Sequence, residues 1–155
     1  MELADIVAKA AILPALKVAS KKQLFQELAT RAADVYRVQP RTVIAGLTAR
    51  EQLGSTAMGE GVAIPHARIE GLEHIVGLFA RLEKPVDFDA LDSMPVDLVF
   101  VLLAPEEAGA DHLRALARVS RLLRGAAVRE KLRTSTKADS LYALITEPAA
   151  SSSAA

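Results

Sequence analysis

The sequence has 155 residues, 51% of them apolar, with 19 basic and 19 acidic side chains and no cysteine. That length and apolar content suffice for one core without cross-links, and with only four Phe and two Tyr that core has to be aliphatic. The lack of cysteine excludes disulfides, thiolate metal sites and a cysteine nucleophile, while zero net charge removes any overall pull toward nucleic acid or an anionic membrane.

The first residues carry Glu2 and Asp5 early and lack the basic flank and long apolar core of a signal peptide. In chain order, Ile12 to Val18 reads as an edge strand, because Pro14 has no ladder donor. Ser20 with Gln23 forms a capping box for a helix whose stripe is Leu24, Leu28, Ala32 and Val35. Pro40 marks the first turn of a second helix, with Val43, Ile44 and Leu47 inward and Gly54 at its end. Gly59 and Gly61 frame a turn before a strand at Val62 to Ile64. A strand follows at His74 to Leu82, then a polar connection from Glu83 to Pro95. Val96 to Leu103, apolar on both faces apart from Asp97, belongs in the middle of a covered sheet.

A helix is expected from about Asp111 to Arg124 and a short one from Ala126 to Leu132. Thr136 and Asp139 read as a capping box opening the last helix, with Leu141, Leu144 and Ile145 inward. Residues 148–155 are small and polar and are expected to be a disordered tail, leaving one domain over 1–147. The longest apolar run, Leu98 to Pro105, is too short to span a bilayer, so no membrane insertion and a cytoplasmic location are expected. Interleaved strands and helices define the class as α/β, a mixed β-sheet covered by helices on both faces.

Three histidines differ in setting. His66 follows Pro65, which fixes its own φ and drives Ile64 toward extended geometry, a rigid mount at a strand end. Local context leaves open an ordinary loop histidine or a reactive one. His112 heads a helix and tops the stripe Leu116, Val119 and Leu123. There the helix dipole favours a nearby anion and disfavours an imidazolium. A core-edge histidine bonded to a carbonyl is the plainer reading. Arg50 continues the Val43–Leu47 stripe, either snorkelling at the helix end or aiming a positive charge at a site. His74 reads as a surface residue.

A metal site lacks support, since no third acidic ligand has a recognisable spacing and the arginine opposes a cation. Arg114, Arg118, Arg121 and Arg124 recur at helical spacing, a solvated face or a docking surface for an acidic partner. Without interleaved aromatics they do not suggest nucleic-acid binding, and no nucleotide or hydrolase motif is present.

Taken in order, Arg50-Glu51, Ser55-Thr56, Gly61 through the Ile64-Pro65-His66-Ala67-Arg68 segment, Phe88-Asp89-Ala90, the Pro95 to Pro105 strand and the helix-heading His112-Leu113 form a series. It resembles the enzyme IIA domain of the bacterial phosphoenolpyruvate-dependent phosphotransferase system, in its fructose, mannitol and nitrogen-regulatory class, from about Ile6 to Ile145. The nitrogen-regulatory branch is the nearest likeness, the chain showing no fused IIB domain or membrane segment. The resemblance implies that His66 is phosphorylated, that His112 lies beside it and that Arg50 stabilises the phosphoryl group, with no cofactor or metal. It implies an HPr-like phosphocarrier as donor, enzyme I behind it, and target proteins regulated by phosphorylation state. A sugar-specific IIA handing phosphate to a IIB domain is the alternative. One departure stands out: many relatives have Gly-Lys where this chain has Ala67-Arg68, which questions the local backbone angles.

Overall fold

A computed structural model describes residues 1–147; the tail expected at 148–155 lies outside the described residues. After a 3-10 turn at Leu3–Asp5, the elements are β1 (Val7–Leu16), α1 (Lys21–Tyr36), α2 (Pro40–Gln52), β2 (Ala57–Gly59), β3 (Val62–Ala63), β4 (His66–Ile69), β5 (Val76–Val86), β6 (Val96–Pro105), α3 (Ala110–Arg124), α4 (Ala126–Thr134) and α5 (Ala138–Thr146). The strands join one mixed sheet in the order β1-β5-β6-β3-β2, with β4 also paired to β6.

β6 is the spine. It runs antiparallel to β5 and parallel to β3 and β4. Its period-two alternation sends Val99, Val101 and Leu103 to one face and Leu98, Phe100 and Leu102 to the other. The first face packs on Leu24, Phe25, Leu28, Val43 and Leu47 of α1 and α2. The second packs on Ala115, Val119, Leu123, Leu132, Leu141 and Ile145 of α3, α4 and α5. Helices therefore cover both faces, as the interleaved pattern predicts. No helix among the described residues is long and apolar enough to cross a membrane.

Several boundaries differ from the sequence reading. β1 begins at Val7, not Ile12, because α1 side chains satisfy its irregular first half. Between Val7 and Ile12 the register against β5 shifts. There the Tyr36 hydroxyl accepts from Ala8 N (2.9 Å) and donates to the Gly77 carbonyl (2.6 Å). Arg31 donates to the carbonyls of Ala10 (2.8 Å) and Ile12 (3.5 Å). Pro14 does sit on an edge strand.

β5 extends through Glu83, Lys84 and Pro85, read as part of a connection: pairing to β6 resumes at Val86 opposite Val96, and the register shifts between there and Arg81 opposite Leu98, where five residues of β5 run against two of β6. Those three residues are exposed, so their polarity reflects solvation and not a loop. At α1, the Ser20 hydroxyl accepts from Gln23 N, while Gln23 Oε1 reaches Ala19 N instead of the cap itself. α5 starts one residue later than its expected box: Lys137 is the cap, with no side-chain bond. Asp139 pairs instead with Lys9 on the surface (3.2 Å).

Candidate active site

The strand expected at Val62 to Ile64 is β3, at Val62–Ala63, and a second strand, β4, follows it in line. Ala63 pairs with Val99 and His66 with Leu102, so three residues advance on each side and the register is unbroken. Between them Ile64 and Pro65 step off the ladder. Proline has no N–H to give, and its carbonyl still accepts from Leu102 N (3.0 Å). His66 thus opens β4, a strand the sequence reading did not separate.

The half-buried ring of His66 is fixed on both nitrogens. Nδ1 lies 2.8 Å from the Ile64 carbonyl oxygen, which can only accept, so Nδ1 carries the proton and Nε2 the lone pair. Arg50 Nε donates to that Nε2 at 3.2 Å. The same guanidinium donates to the Gly54 carbonyl at 2.8 Å, tying it across the end of α2.

Arg50 reaches the ring because α2 lies close on β4. A Cβ on Gly46, one turn before Arg50, would stand 3.0 Å from Ala67 Cβ and 3.4 Å from Ile69 Cδ1. The Ala67 departure is thereby explained. Residue 67 is extended strand with no positive φ, so it has no need of glycine, and its buried methyl packs against the bare face of Gly46.

His112 is the third residue of α3 and is 6% exposed. Its ring lies 5.6 Å from that of His66, centroid to centroid, edge-on at 80°. Its Nε2 is buried without a hydrogen-bond partner. Burial holds both imidazoles below the ordinary histidine value of 6.5. At His66 the Ile64 carbonyl pulls the other way, Arg50 lowers the value further and Glu51 raises it. At His112 the charges of His66 and Arg68 add to the desolvation. Arg68 is held by the Glu106 carbonyl (2.9 Å).

His66, His112 and Arg50 therefore come together from three distant parts of the chain. His74 does not; it is exposed. Along α3, Arg114 pairs with Asp111 (2.7 Å), Arg118 with Glu2 (2.6 Å) and Arg124 with Ser120 (3.3 Å). The sequence reading gave no role to the Ile64 carbonyl or to Glu51. The first carries no side-chain signal at all. The second was visible only as the neighbour of Arg50.

Fold and site together define an α/β protein with a histidine-centred site at the end of its central strands. The family described as "Phosphoenolpyruvate-dependent sugar phosphotransferase system, EIIA 2" matches residues 5–147. The chain is 56% identical to a nitrogen regulatory protein of Bradyrhizobium diazoefficiens over 150 residues, 97% of this chain and 98% of that one. It is 42% identical to a nitrogen regulatory protein of Pseudomonas aeruginosa over 129 residues, 83% of this chain and 84% of that one. The crystal structure of nitrogen regulatory protein IIA-Ntr from Neisseria meningitidis superposes with a TM-score of 0.87 at 39% identity, over 92% of this chain and 97% of that one. The chain belongs to this EIIA type 2 family of the phosphotransferase system, with its nitrogen regulatory proteins as near relatives.

Proposed function

We propose that this protein is a nitrogen-regulatory phosphocarrier: it takes a phosphoryl group from an HPr-like carrier, itself charged by enzyme I, onto His66, and its phosphorylation state governs target proteins. The observation that carries this reading is the locked tautomer, with Nδ1–H on the Ile64 carbonyl and the Nε2 lone pair turned to Arg50. The names and high identity of the relatives support the regulatory branch.

The chemistry follows from that geometry. Nε2 attacks phosphorus as the donor's own N–P bond breaks, and that bond's electron pair returns to the donor nitrogen. Nδ1 keeps its proton, still donated to the Ile64 carbonyl, so the phosphorylated ring is an imidazolium that offsets part of the new charge. Arg50 gives up its bond to the lone pair and turns to the phosphoryl oxygens. His112 offers its unpartnered Nε2 beside them. Positioning and charge compensation are the main demands of phosphoryl transfer, and these groups meet them.

The test is intact mass after incubation with phosphoenolpyruvate, enzyme I and the HPr-like carrier. The wild-type protein gains one phosphoryl group, acid-labile and alkali-stable, and His66→Ala gains none. Arg50→Ala and His112→Ala remain folded and are slowed on the order of 100-fold, as for loss of one oxyanion donor. Phosphate retained on His66→Ala rejects the site. Rapid passage of the group to a fructose or mannitol IIB domain assigns the protein to sugar transport instead.

A further inference from the structure

Glu51 follows Arg50 on α2, yet its side chain turns inward and is 6% exposed. Its Oε2 accepts from Lys21 Nζ (3.0 Å) and from Thr56 N (3.0 Å); its Oε1 accepts from Thr56 Oγ1 (2.6 Å). Lys21 comes from the start of α1 and is itself held over the Phe88 ring, 4.8 Å from its centroid. Thr56, 7% exposed, then takes Ile64 N on its carbonyl (3.1 Å). Ile64 in turn presents its carbonyl to His66 Nδ1. One carboxylate therefore stands between both constraints on the nucleophile. Through Thr56 and Ile64 it reaches Nδ1, and it adjoins Arg50, which reaches Nε2.

We propose that Glu51 is a positioning residue for phosphoryl acceptance: clamped by Lys21, it anchors Thr56 and so holds the Ile64 carbonyl where it fixes the His66 tautomer. This rests on His66 being the acceptor. A buried carboxylate taking three donors is a rigid support, because each lone pair it uses is costly to leave unmatched. The relay is also stiff in its middle, since Thr56 gives Glu51 both its amide and its hydroxyl. Glutamine at this position keeps the shape. Its carbonyl oxygen accepts from Lys21 and Thr56 N, and its amide donates to a Thr56 hydroxyl turned to accept.

Two readouts test the role. Long-range proton–nitrogen NMR of the histidine rings reports the His66 tautomer and needs no phosphate donor. Single-turnover phosphorylation by the charged HPr-like carrier reports the rate. Glu51→Ala populates both His66 tautomers and slows the chemical step about 10- to 100-fold, the scale of an ångström-sized misplacement, with donor affinity unchanged. Glu51→Gln keeps the single Nδ1–H tautomer and stays close to the wild-type rate. Thr56→Val shows a smaller slowing that Thr56→Ser restores, and it decides the matter if Glu51→Ala does not fold.

A wild-type tautomer and rate in Glu51→Ala, or in Thr56→Val where the alanine variant is unfolded, overturns the proposal. So does a folded Glu51→Gln as slow as the alanine variant, which makes the charge and not the placement the active element. Failure of the wild-type protein to take phosphate, or phosphate on His66→Ala, defeats the acceptor assignment instead, and the tautomer measurement still judges Glu51.

Discussion

The acceptor role proposed for His66 needs a free lone pair on the ring, and burial is the main force keeping one there. Arg50 works in the same direction, since a guanidinium beside the ring penalises a second positive charge. His112 is subject to the same forces from His66 and Arg68. The sign for stability follows. Both folded-state values lie below 6.5, so the folded protein binds fewer protons than the unfolded chain in that window. The stability these two rings contribute is intact above 6.5 and is lost as pH falls through their lowered values. Urea unfolding from about pH 7.5 down to about pH 5 should show that decline, and His112→Gln should flatten it. Acceptance of phosphate should likewise persist at pH values where an ordinary histidine is already protonated. A rate profile with its midpoint above 6.5 contradicts both expectations.

Among elements, the meeting of α2 and β4 sets the distance between guanidinium and imidazole. Gly46 of α2 packs tightly on Ala67 of β4, and Arg50 stands one turn further along α2. Gly46→Val pushes a branched side chain into Ala67 and Ile69, so α2 must move out. Overpacking of this kind costs about 1–3 kcal/mol. The Arg50–His66 bond should lengthen, visible as a change in the His66 ring nitrogen shifts together with slower phosphorylation.

The sequence disclosed this region unevenly. Pro65 and the stripe through Val43 and Leu47 pointed to a mounted histidine and an inward arginine, because φ restriction and helical period leave marks in residue type. The strand β4 after Pro65 left no such mark, since its cause is backbone pairing to β6. Nor did the early start of β1, where Tyr36 and Arg31 of α1 supply bonds to residues 28 and 21 positions earlier. The expected box at Thr136 failed for a related reason: its acidic partner finds Lys9 on the surface instead.

For the whole molecule, the sheet separates two apolar layers, and the site draws on both: Arg50 arrives from α2 on one face and His112 from α3 on the other. Class and both-sided cover were legible because β6 is apolar on both faces, which only a covered sheet tolerates. Phe100 anchors the α3 side, fully buried and edge-on to Phe79 with ring centroids 6.3 Å apart. Phe100→Ala should cost about 3–5 kcal/mol, read as a lower urea midpoint. Folded Phe100→Ala protein should still accept phosphate at low temperature, because no site residue is removed.

The rims of the sheet carry a further consequence. On one side β1 presents a proline, and Arg31 already occupies the carbonyls of Ala10 and Ile12. On the other, β2 is three residues long, and Glu60 beside it spends its amide on Asp92. A strand arriving from a neighbouring molecule meets an interrupted edge on either side. The chain can thus be held at high concentration with little tendency for its sheet edges to template fibres.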